Sequence, residues 1–519
     1  MNVTNLAVLI IGLAIVAILL PIAVGVVVGL RWLRVAQREH YIAPWTTRIA
    51  WLWLTKRPIN LVLVLVSAVL ILLALVIDPV AIVAIILLAF LPIGLGVRGR
   101  SAKLAWTPRL KRLAVAWAVL ALVIGYLLFR LVGIAGPAIV LLGAAPVMDL
   151  ALVVMKPIEK RLSRTYLVSA RKRLQQVHPT VVAITGSYGK TSTKGYVAHV
   201  LSGSFSVVAS PASFNNLLGL SKAVNDRVVP GTEVFIAEMG VYGTGEIREL
   251  SESFPPDIAA ITTIGEAHLA RMGSREVIFQ AKSEITEKAR IVVLPIDDPW
   301  LAGLADRCEA EGKRVVRVST TAGAAADVVV ADGLVTVMEN GAHTTAAVSI
   351  PNVGHAVNLA VTVGIAVALE VPLAAIASRL EALPESPHRA EITQAASGVL
   401  VVDDTYNANP VGAQRALEGA AALATERGGP LVVVTPGMVE LGNVQAIRNE
   451  AFGASIADHG GHLFAVARTN RAALAAGAST GPNPVRTFDR REQAVAAALD
   501  QAGDRGVILY ENDLPDHYP

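Results

Sequence analysis

Long apolar runs are the first pattern along the chain. The run Leu6–Leu30 contains no charged residue, and as a helix rising about 1.5 Å per residue it is long enough to cross a bilayer. Four further apolar runs follow within the first 155 residues: Leu61–Ile77, Pro79–Val97, Leu113–Phe129 and Leu131–Met155. The pattern predicts an N-terminal domain, residues 1–155, built as an α-helical bundle of five transmembrane spans.

Charge is distributed unevenly along the chain. Before Lys156 there are 13 Lys and Arg residues against three acids, whereas the remainder carries 32 basic and 38 acidic residues. The basic residues lie in the loops after the first and third runs, so the positive-inside rule places these loops and the region after Lys156 in the cytoplasm, with the N-terminus outside. A mean hydropathy of +0.55 agrees with membrane insertion. The acidic C-terminal region excludes a nucleic-acid-binding protein, and the single cysteine, Cys308, excludes an internal disulfide.

Residues 156–176 are basic and favour a helix. The cations of this segment include Lys160, Arg161, Arg164 and Arg171. Such a segment beside a membrane span predicts a basic juxtamembrane linker that lies on anionic membrane lipid.

From residue 177 onward, strand-like runs alternate with helical ones. This alternation predicts two α/β domains with parallel sheets, a central one over 177–384 and a C-terminal one over 385–519, separated by a Pro- and Ser-containing break at Leu383–Pro387. The predicted strands are Thr180–Thr185, Glu233–Glu238, Ile258–Ile264, Ile291–Leu294, Val399–Asp403, Leu431–Thr435, His462–Ala467 and Gly506–Tyr510.

A glycine-rich segment, TGSYGKTS at 185–192, leaves the first predicted strand and enters a helix. Gly186 and Gly189 let backbone N–H groups and a helix N-terminus cradle phosphates, Lys190 would neutralise phosphate charge, and Thr191 would ligate Mg²⁺. Glu238 ends a neighbouring predicted strand, where a carboxylate is placed to hold Mg²⁺ against those phosphates. These residues predict ATP and Mg²⁺ as cofactors.

The chain resembles the ATP-dependent Mur ligases of peptidoglycan precursor synthesis, whose phosphate loop has this short form. Further motifs occur in that family's order: Asn215-Asn216, Glu238-Met239-Gly240, Gly265-Glu266-Ala267-His268, Ala281-Lys282-Ser283, Asn358, Arg389 and Asp403-Asp404-Thr405-Tyr406-Asn407-Ala408-Asn409-Pro410. The last segment is similar to the one that marks the member adding D-alanyl-D-alanine to the muramoyl tripeptide. The resemblance implies a central P-loop ATPase domain followed by a Rossmann-like C-terminal domain.

The resemblance also implies a role for each motif residue. The catalytic residues would be Lys190, Lys282, His268 and Arg389, and Mg²⁺ would be held by Thr191, Glu238, His268 and Lys282, the last of them carbamylated. ATP would be bound by Gly186, Ser187, Gly189, Lys190, Thr191, Ser192, Asn358, Arg389, Asp404, Tyr406, Asn407 and Asn409. The acceptor substrate would contact Asn215 and Asn216.

The implied reaction is amide formation through an acyl phosphate. ATP phosphorylates a substrate carboxylate, and the amine of a dipeptide or amino acid then displaces phosphate. The implied location is the inner membrane of a bacterium, with the ligase domains in the cytoplasm.

Two departures from the family shape the substrate hypothesis. Membrane runs stand where the family carries a domain that grips a UDP-sugar, so we expect a carboxylate-bearing envelope precursor that is lipid-linked. The C-terminal end carries the acidic Tyr510-Glu511-Asn512-Asp513 where the tripeptide ligase has a basic stretch. Two alternatives stay open: a membrane-tethered ligase for another amide polymer such as polyglutamate, and a non-catalytic ATP-binding sensor or scaffold.

Overall fold

The computed structural model describes residues 3–99, 104–211, 214–339, 342–348, 356–383, 391–405 and 408–519. The N-terminal region of the described chain is helical and is followed by two α/β domains. The helices of this region, which we call the membrane domain after its predicted spans, are α1 (Val3–Arg38), α2 (Trp45–Lys56), α3 (Pro58–Ala74), α4 (Val80–Leu88), α5 (Pro108–Val132), α6 (Ala135–Leu142) and α7 (Ala144–Val177).

The outward surface of these helices is apolar. Leu72 of α3, Leu122 of α5 and other large aliphatic side chains are exposed on it. Such an outer face is suited to lipid, since in water it would be an unusually large apolar patch.

Fewer spans are long enough to cross a membrane than the five predicted. Within the described residues, Ala17–Arg38 of α1 and all of α5 are long and apolar enough, and the count rises to at most four if the bent pairs α2–α3 and α6–α7 each form one span. Helix α4, from the third predicted run, has nine residues and therefore extends only about 13 Å. The predicted span was too long because the apolar run continues beyond Leu88 into residues that are not helical.

Helix α7 contains the basic segment predicted over 156–176 and extends beyond it at both ends. It runs for 34 residues from the membrane domain into the central domain, with Pro157 inside it. Ala170 is fully buried against the central domain, and Arg171 and Arg173 donate to the backbone carbonyls of Glu252 and Val228. This stretch of the basic segment therefore packs on protein instead of lying along lipid.

The central domain holds a nine-stranded sheet in the order β2-β3-β1-β4-β5-β6-β7-β8-β9. The strands from β2 to β7 pair in parallel, and β8 and β9 are added antiparallel. The strands are β1 (Thr180–Thr185), β2 (Val207–Ala209), β3 (Val234–Glu238), β4 (Ile258–Ile261), β5 (Ile291–Pro295), β6 (Arg314–Ser319), β7 (Val328–Ala331), β8 (Leu334–Glu339) and β9 (Ala342–Ala347). The helices are α8 (Lys190–Leu201), α9 (Leu217–Arg227), α10 (Glu246–Ser253), α11 (Leu269–Met272), α12 (Arg275–Ser283), α13 (Pro299–Ala310), α14 (Ala356–Ala368) and α15 (Leu373–Leu380).

Two apolar clusters cover the opposite faces of this sheet. Alternate residues of β1 belong to different clusters, Val181 and Ala183 to one and Val182 and Ile184 to the other. This is the period-two pattern of a strand buried on both faces. The carboxyl ends of β1, β3 and β4 consequently meet at one edge, where ligands bind in such sheets.

The C-terminal domain holds a six-stranded sheet in the order β10-β11-β15-β12-β13-β14. Its strands are parallel except for β10, which pairs antiparallel with β11. The strands are β10 (Glu391–Gln394), β11 (Leu400–Asp404), β12 (Leu431–Thr435), β13 (His462–Val466), β14 (Arg486–Phe488) and β15 (Val507–Glu511), and the helices are α16 (Pro410–Arg427), α17 (Gln445–Asp458), α18 (Arg471–Ala478) and α19 (Arg491–Ala502). The two-domain α/β prediction is confirmed: two predicted strands, Thr180–Thr185 and Leu431–Thr435, match in both bounds, and the ends of the others differ by at most three residues.

The C-terminal tail, residues 512–519, leaves β15 and reaches the membrane domain. Asp516 forms a buried ion pair with Arg34 at 2.9 Å, and His517 Nε2 lies 2.8 Å from Glu39 Oε1. The indole N–H of Trp53 donates to the carbonyl of His517 at 2.8 Å. The tail therefore joins the C-terminal domain to α1, to Glu39 directly after α1, and to α2.

Candidate functional site

The predicted phosphate loop connects β1 to α8. Gly186 and Gly189 have φ of +152° and +79°, and a Cβ on either would overlap the side chain of Thr262 or of Asn358. Only glycine meets both demands without strain. The ammonium of Lys190 donates to the carbonyl of Gly186 at 2.7 Å, so it lies at the mouth of the loop.

Thr191 and Glu238 come together because β1 and β3 are neighbouring strands. Thr191 lies at the start of α8, which follows β1, and Glu238 is the last residue of β3. Register pairs Ile184 with Glu238, which brings this carboxylate level with the start of the loop. Thr191 Oγ1 donates to Glu238 Oε2 at 3.1 Å, and Lys194 Nζ lies 2.8 Å from the same oxygen. Burial alone would raise the pKa of Glu238, but Lys194, with smaller contributions from Lys190 and Asn215, lowers it overall. Glu238 is therefore an ionised, buried carboxylate.

These oxygens fit a hard divalent cation. A hydroxyl and one carboxylate beside a phosphate site form the usual protein share of a Mg²⁺ site. Next to Thr191, the hydroxyl of Ser192 is buried and has no hydrogen-bond partner among the described residues, which leaves it available to a ligand. Within those residues, no group of three or more His, Cys, Asp or Glu side chains is arranged to hold a metal. The fit to Mg²⁺ thus rests on Thr191 and Glu238.

Lys282 lies beneath the phosphate loop. Its side chain is buried, and its Nζ donates to the carbonyl of Gly186 at 3.1 Å, the same oxygen that Lys190 contacts. Burial, and then the charge of Lys190, hold the pKa of Lys282 well below its usual range. A neutral amine is the form that reacts with carbon dioxide, so the site is compatible with the carbamylation implied by the resemblance, which stays a prediction.

His268 is held by the C-terminal domain. Its Nδ1 lies 2.6 Å from Glu440 Oε2, and Arg271 Nη2 lies 2.9 Å from Glu440 Oε1. Burial opposes ionisation of Glu440, but His268 and Arg271 keep its pKa at about 2. Burial lowers the pKa of His268 despite Glu440. The pair is consequently a neutral imidazole donating to a carboxylate, and this contact closes the C-terminal domain over the site.

The same network continues into the membrane domain. Arg271 Nη2 also lies 2.7 Å from Glu39 Oε2, with both side chains buried. The His40 ring stacks on Tyr242 with centroids 4.9 Å apart, and the Tyr242 ring meets His268 edge-on at 4.9 Å. The segment after α1 therefore belongs to the wall around His268.

The predicted Asn residues of the central domain divide into two kinds. Asn358 is buried against Gly189 and so lies beside the phosphate loop. Asn215 donates to Glu238 at 3.3 Å and thereby steadies the carboxylate. Asn216 instead caps α9 by accepting from the N–H of Gly219, so its side chain has a structural partner.

Ser187 and Asn409 also have structural partners. The Ser187 hydroxyl accepts from the N–H of Gly265 at 2.9 Å and so ties the phosphate loop to the loop before His268. Asn409 caps α16 by accepting from the N–H of Gly412. Their predicted contact with ATP stays a prediction.

The remaining predicted nucleotide residues belong to the C-terminal half. Asp404 ends β11 in register with Glu511 of β15. Arg389, Tyr406 and Asn407 lie outside the described residues.

The acidic segment 510–513 is partly buried. Glu511 is fully buried, accepts a 2.6 Å bond from the Thr435 hydroxyl, and has its pKa raised to about 8 by burial. Asp513 pairs with Arg491, and Asn512 donates to the carbonyl of Gly437. Glu511 is therefore internal to the C-terminal sheet, whereas Asp513 is partly exposed and is paired with Arg491.

Sequence reasoning missed several residues of the site. Lys194 stands four residues after Lys190, on the same face of α8, and that spacing was the available signal. Glu440 lies in the segment Gly437–Gly442 without any local feature that marks its role. Arg271, Tyr242 and Glu39 are brought in by tertiary contacts alone.

Comparison with known proteins supports the assignment of both α/β domains. Residues 184–366 match the Mur ligase middle domain, and residues 388–510 match the Mur ligase, glutamate ligase domain. The UDP-N-acetylmuramoyl-tripeptide--D-alanyl-D-alanine ligase of Mycobacterium tuberculosis (strain ATCC 25618 / H37Rv) is 37% identical over 255 residues, covering 47% of this chain and 49% of that protein. The chain thus spans about half the length of the mycobacterial relatives that it matches.

Longer matches agree. The ligase of the same description from Synechocystis sp. is 30% identical over 348 residues, covering 64% of this chain and 72% of that protein. The crystal structure of MurF ligase from Thermotoga maritima in complex with ADP superposes with a TM-score of 0.58 at 26% identity, covering 68% of this chain and 80% of that one. Two matched domains, the shared fold and the phosphate-loop geometry agree, and the chain belongs to the Mur ligase family.

Proposed function

We propose that the protein is an ATP-dependent amide ligase of the type that adds D-alanyl-D-alanine to a peptidoglycan precursor. The observation that carries the proposal is the contact between Thr191 and Glu238 at the mouth of the phosphate loop, beneath the Glu440–His268 bond between domains. A P-loop that only bound nucleotide would not need the second domain placed over it. The names of the relatives at 30–37% identity support the D-alanyl-D-alanine type.

The chemistry requires positioning and charge neutralisation more than covalent participation. An acceptor carboxylate oxygen attacks the γ-phosphorus of ATP and ADP leaves; the amine nitrogen then attacks the acyl carbon, phosphate leaves, and the amine loses its proton to solvent. Thr191 and Glu238 would hold Mg²⁺, which offsets phosphate charge. Lys190 adds a cation at the loop mouth, and the Glu440–His268 contact joins the C-terminal domain to the central domain beside the site.

The membrane domain adds a proposal about the acceptor and the location. The ligase domains would lie on the cytoplasmic side of the inner membrane, and the acceptor would be a lipid-linked envelope precursor. Support comes from the apolar outer face of α3 and α5 and from the contact of Glu39 with Arg271, which places the membrane domain at the wall of the site.

The test is ADP release by the detergent-purified full chain. The reaction contains Mg²⁺-ATP and D-alanyl-D-alanine with either UDP-muramoyl tripeptide or the same tripeptide on a polyprenyl diphosphate. We expect acceptor-dependent ADP release, faster with the lipid-linked acceptor. Lys190→Ala should abolish it, whereas Lys222→Ala, which changes an exposed lysine of the same domain, should leave it unchanged.

Other outcomes separate the alternatives. ADP release with glutamate but not with D-alanyl-D-alanine would favour a polyglutamate-type ligase. ATP binding without acceptor-dependent ADP release would favour the sensor or scaffold and would refute the ligase.

A further inference from the structure

A cavity of about 260 Å³ lies where the membrane domain meets the central domain. It is bounded by the segment after α1, the start of α5, the middle of α7 and the first residue of α10. Because α1 ends and α5 begins there, the cavity stands at the same end of the spans as the ligase domains. The cavity therefore lies at the level where the membrane surface would face the ligase domains.

The walls combine cations with an apolar surface. Arg109 stacks over Tyr41 at 4.2 Å, which holds the guanidinium in place, and Lys156 enters from α7. Leu113, Leu152 and Val153 form the apolar side, and Val153 is exposed on the outer face of α7. A phosphate with a hydrocarbon chain matches this combination, since the head group would meet cations while the chain runs along the aliphatic side chains into lipid.

The acids of the cavity do not cancel this charge. Glu159 is held by a bidentate pair with Arg112, at 2.6 and 2.7 Å. Glu246 accepts the N–H of Tyr242 at 2.9 Å, and burial raises the pKa of its carboxyl. Because Arg112 neutralises Glu159, Arg109 and Lys156 face one remaining acid, Glu246, and one net positive charge is left to attract an anion.

The cavity communicates with the ligase site through aromatic contacts. His40 lines the cavity, and its Nε2 lies 3.2 Å from the Tyr242 hydroxyl. Tyr242 in turn contacts His268, as described above. The head group of a molecule anchored in the cavity would therefore be separated from His268 by only the side chains of His40 and Tyr242.

We propose that this cavity binds the diphosphate head group of a lipid-carried acceptor, with the beginning of the hydrocarbon chain along Leu113, Leu152 and Val153. The inference rests on the proposed function and names its acceptor class. The membrane domain would then supply, from unrelated residues, the anchoring that a UDP-sugar-binding domain supplies elsewhere in the family.

The test measures binding of farnesyl diphosphate to the full chain in phosphatidylcholine nanodiscs, with empty nanodiscs as the blank. Each charged hydrogen bond lost should weaken binding about tenfold. We therefore expect Lys156→Gln and Arg109→Gln to raise the Kd about tenfold each. Lys111→Gln, which removes an exposed cation of α5 outside the cavity, should leave the Kd unchanged.

Several results would overturn the proposal. They are an equal Kd for all four proteins, no binding to the wild type, equally tight binding of inorganic diphosphate, or loss of binding when phosphatidylglycerol is added to the nanodisc. The last would identify a phospholipid site.

Turnover separates this proposal from the proposed function. Charge-dependent farnesyl diphosphate binding without ADP release from any acceptor would support the cavity assignment and refute the ligase. ADP release from the lipid-linked acceptor, with a Kd for farnesyl diphosphate that Lys156→Gln and Arg109→Gln leave unchanged, would support the ligase and refute the cavity assignment.

Discussion

At the scale of single residues, the site depends on a buried ion pair. Lys194 and Glu238 are both less than one tenth exposed and lie 2.8 Å apart. Glu238 can bind a cation only in its ionised form, and a buried negative charge destabilises the fold unless it is compensated. The ammonium of Lys194 supplies that compensation.

Removing Lys194 should therefore destabilise the central domain. Lys194→Met removes the ion-pair partner of a buried carboxylate, which costs about 3–5 kcal/mol in free energy of unfolding. Hydrogen exchange of β3 in the full chain would measure the loss. Lys222→Met is the matched surface control, and equal exchange in the two variants would contradict the expectation.

Because of Glu511, the free energy of unfolding of the C-terminal domain should fall as the pH rises from 4.5 to 8. Its pKa is about 8 in the folded state against 4.5 for an unperturbed Glu, so between these values the unfolded chain has lost the proton that the folded chain keeps. Stability attributable to this group is complete below pH 4.5 and falls as the pH rises to 8, by about 5 kcal/mol in total.

Glu511→Gln should remove most of that fall. The measurement is hydrogen exchange of β12 and β15 at pH 5 and pH 8, corrected for the intrinsic rate. Glu426→Gln, at an exposed position of α16, should retain the wild-type pH dependence. A Glu511→Gln variant as pH-sensitive as the wild type would show that Glu511 is not the cause.

At the scale of elements, α7 is the structural link between the membrane domain and the ligase domains. Its last third packs against α9 through fully buried Ala170, and Asn225 of α9 donates to the carbonyl of Tyr166. A continuous helix transmits its orientation directly, so the central domain is held at a set position relative to the spans.

Enlarging Ala170 should loosen this link. Ala170→Leu inserts three carbon atoms into a packed contact, which costs about 1–3 kcal/mol. Limited proteolysis within α7 would report the change as faster cleavage. Ser169→Leu, at the adjacent exposed position, should be cleaved like the wild type; similar cleavage of all three proteins would argue against tight packing here.

At the scale of the whole molecule, three domains meet in one ionic network. Glu39 of the membrane domain contacts Arg271 of the central domain and His517 of the C-terminal tail, and Arg271 contacts Glu440. These buried side chains depend on one another for charge compensation, so separation of any domain would leave charges unpaired.

Breaking the tail contact should release the C-terminal domain. Asp516→Ala removes the carboxylate facing buried Arg34, and we expect faster hydrogen exchange in both α2 and residues 512–519. Asp500→Ala, at an exposed position of α19, is the control. Unchanged exchange in α2 would mean that the tail does not hold the two domains together.

Local sequence determined the phosphate loop, most of the parallel strands and the two α/β domains. The reason is that glycine stereochemistry and hydrophobic periodicity act over a few neighbouring residues. The phosphate loop and the strand-end carboxylate identified Thr191 and Glu238, and the family resemblance identified Lys282; the structure brings all three around the same loop. Only the tertiary structure decided that Lys194 pairs with Glu238, that α7 packs on the central domain, and that Glu440 and Glu39 reach the wall around His268. Those contacts join residues as far apart as Glu39 and His517, 478 positions along the chain, and no local window of sequence records which distant partner folding will bring close.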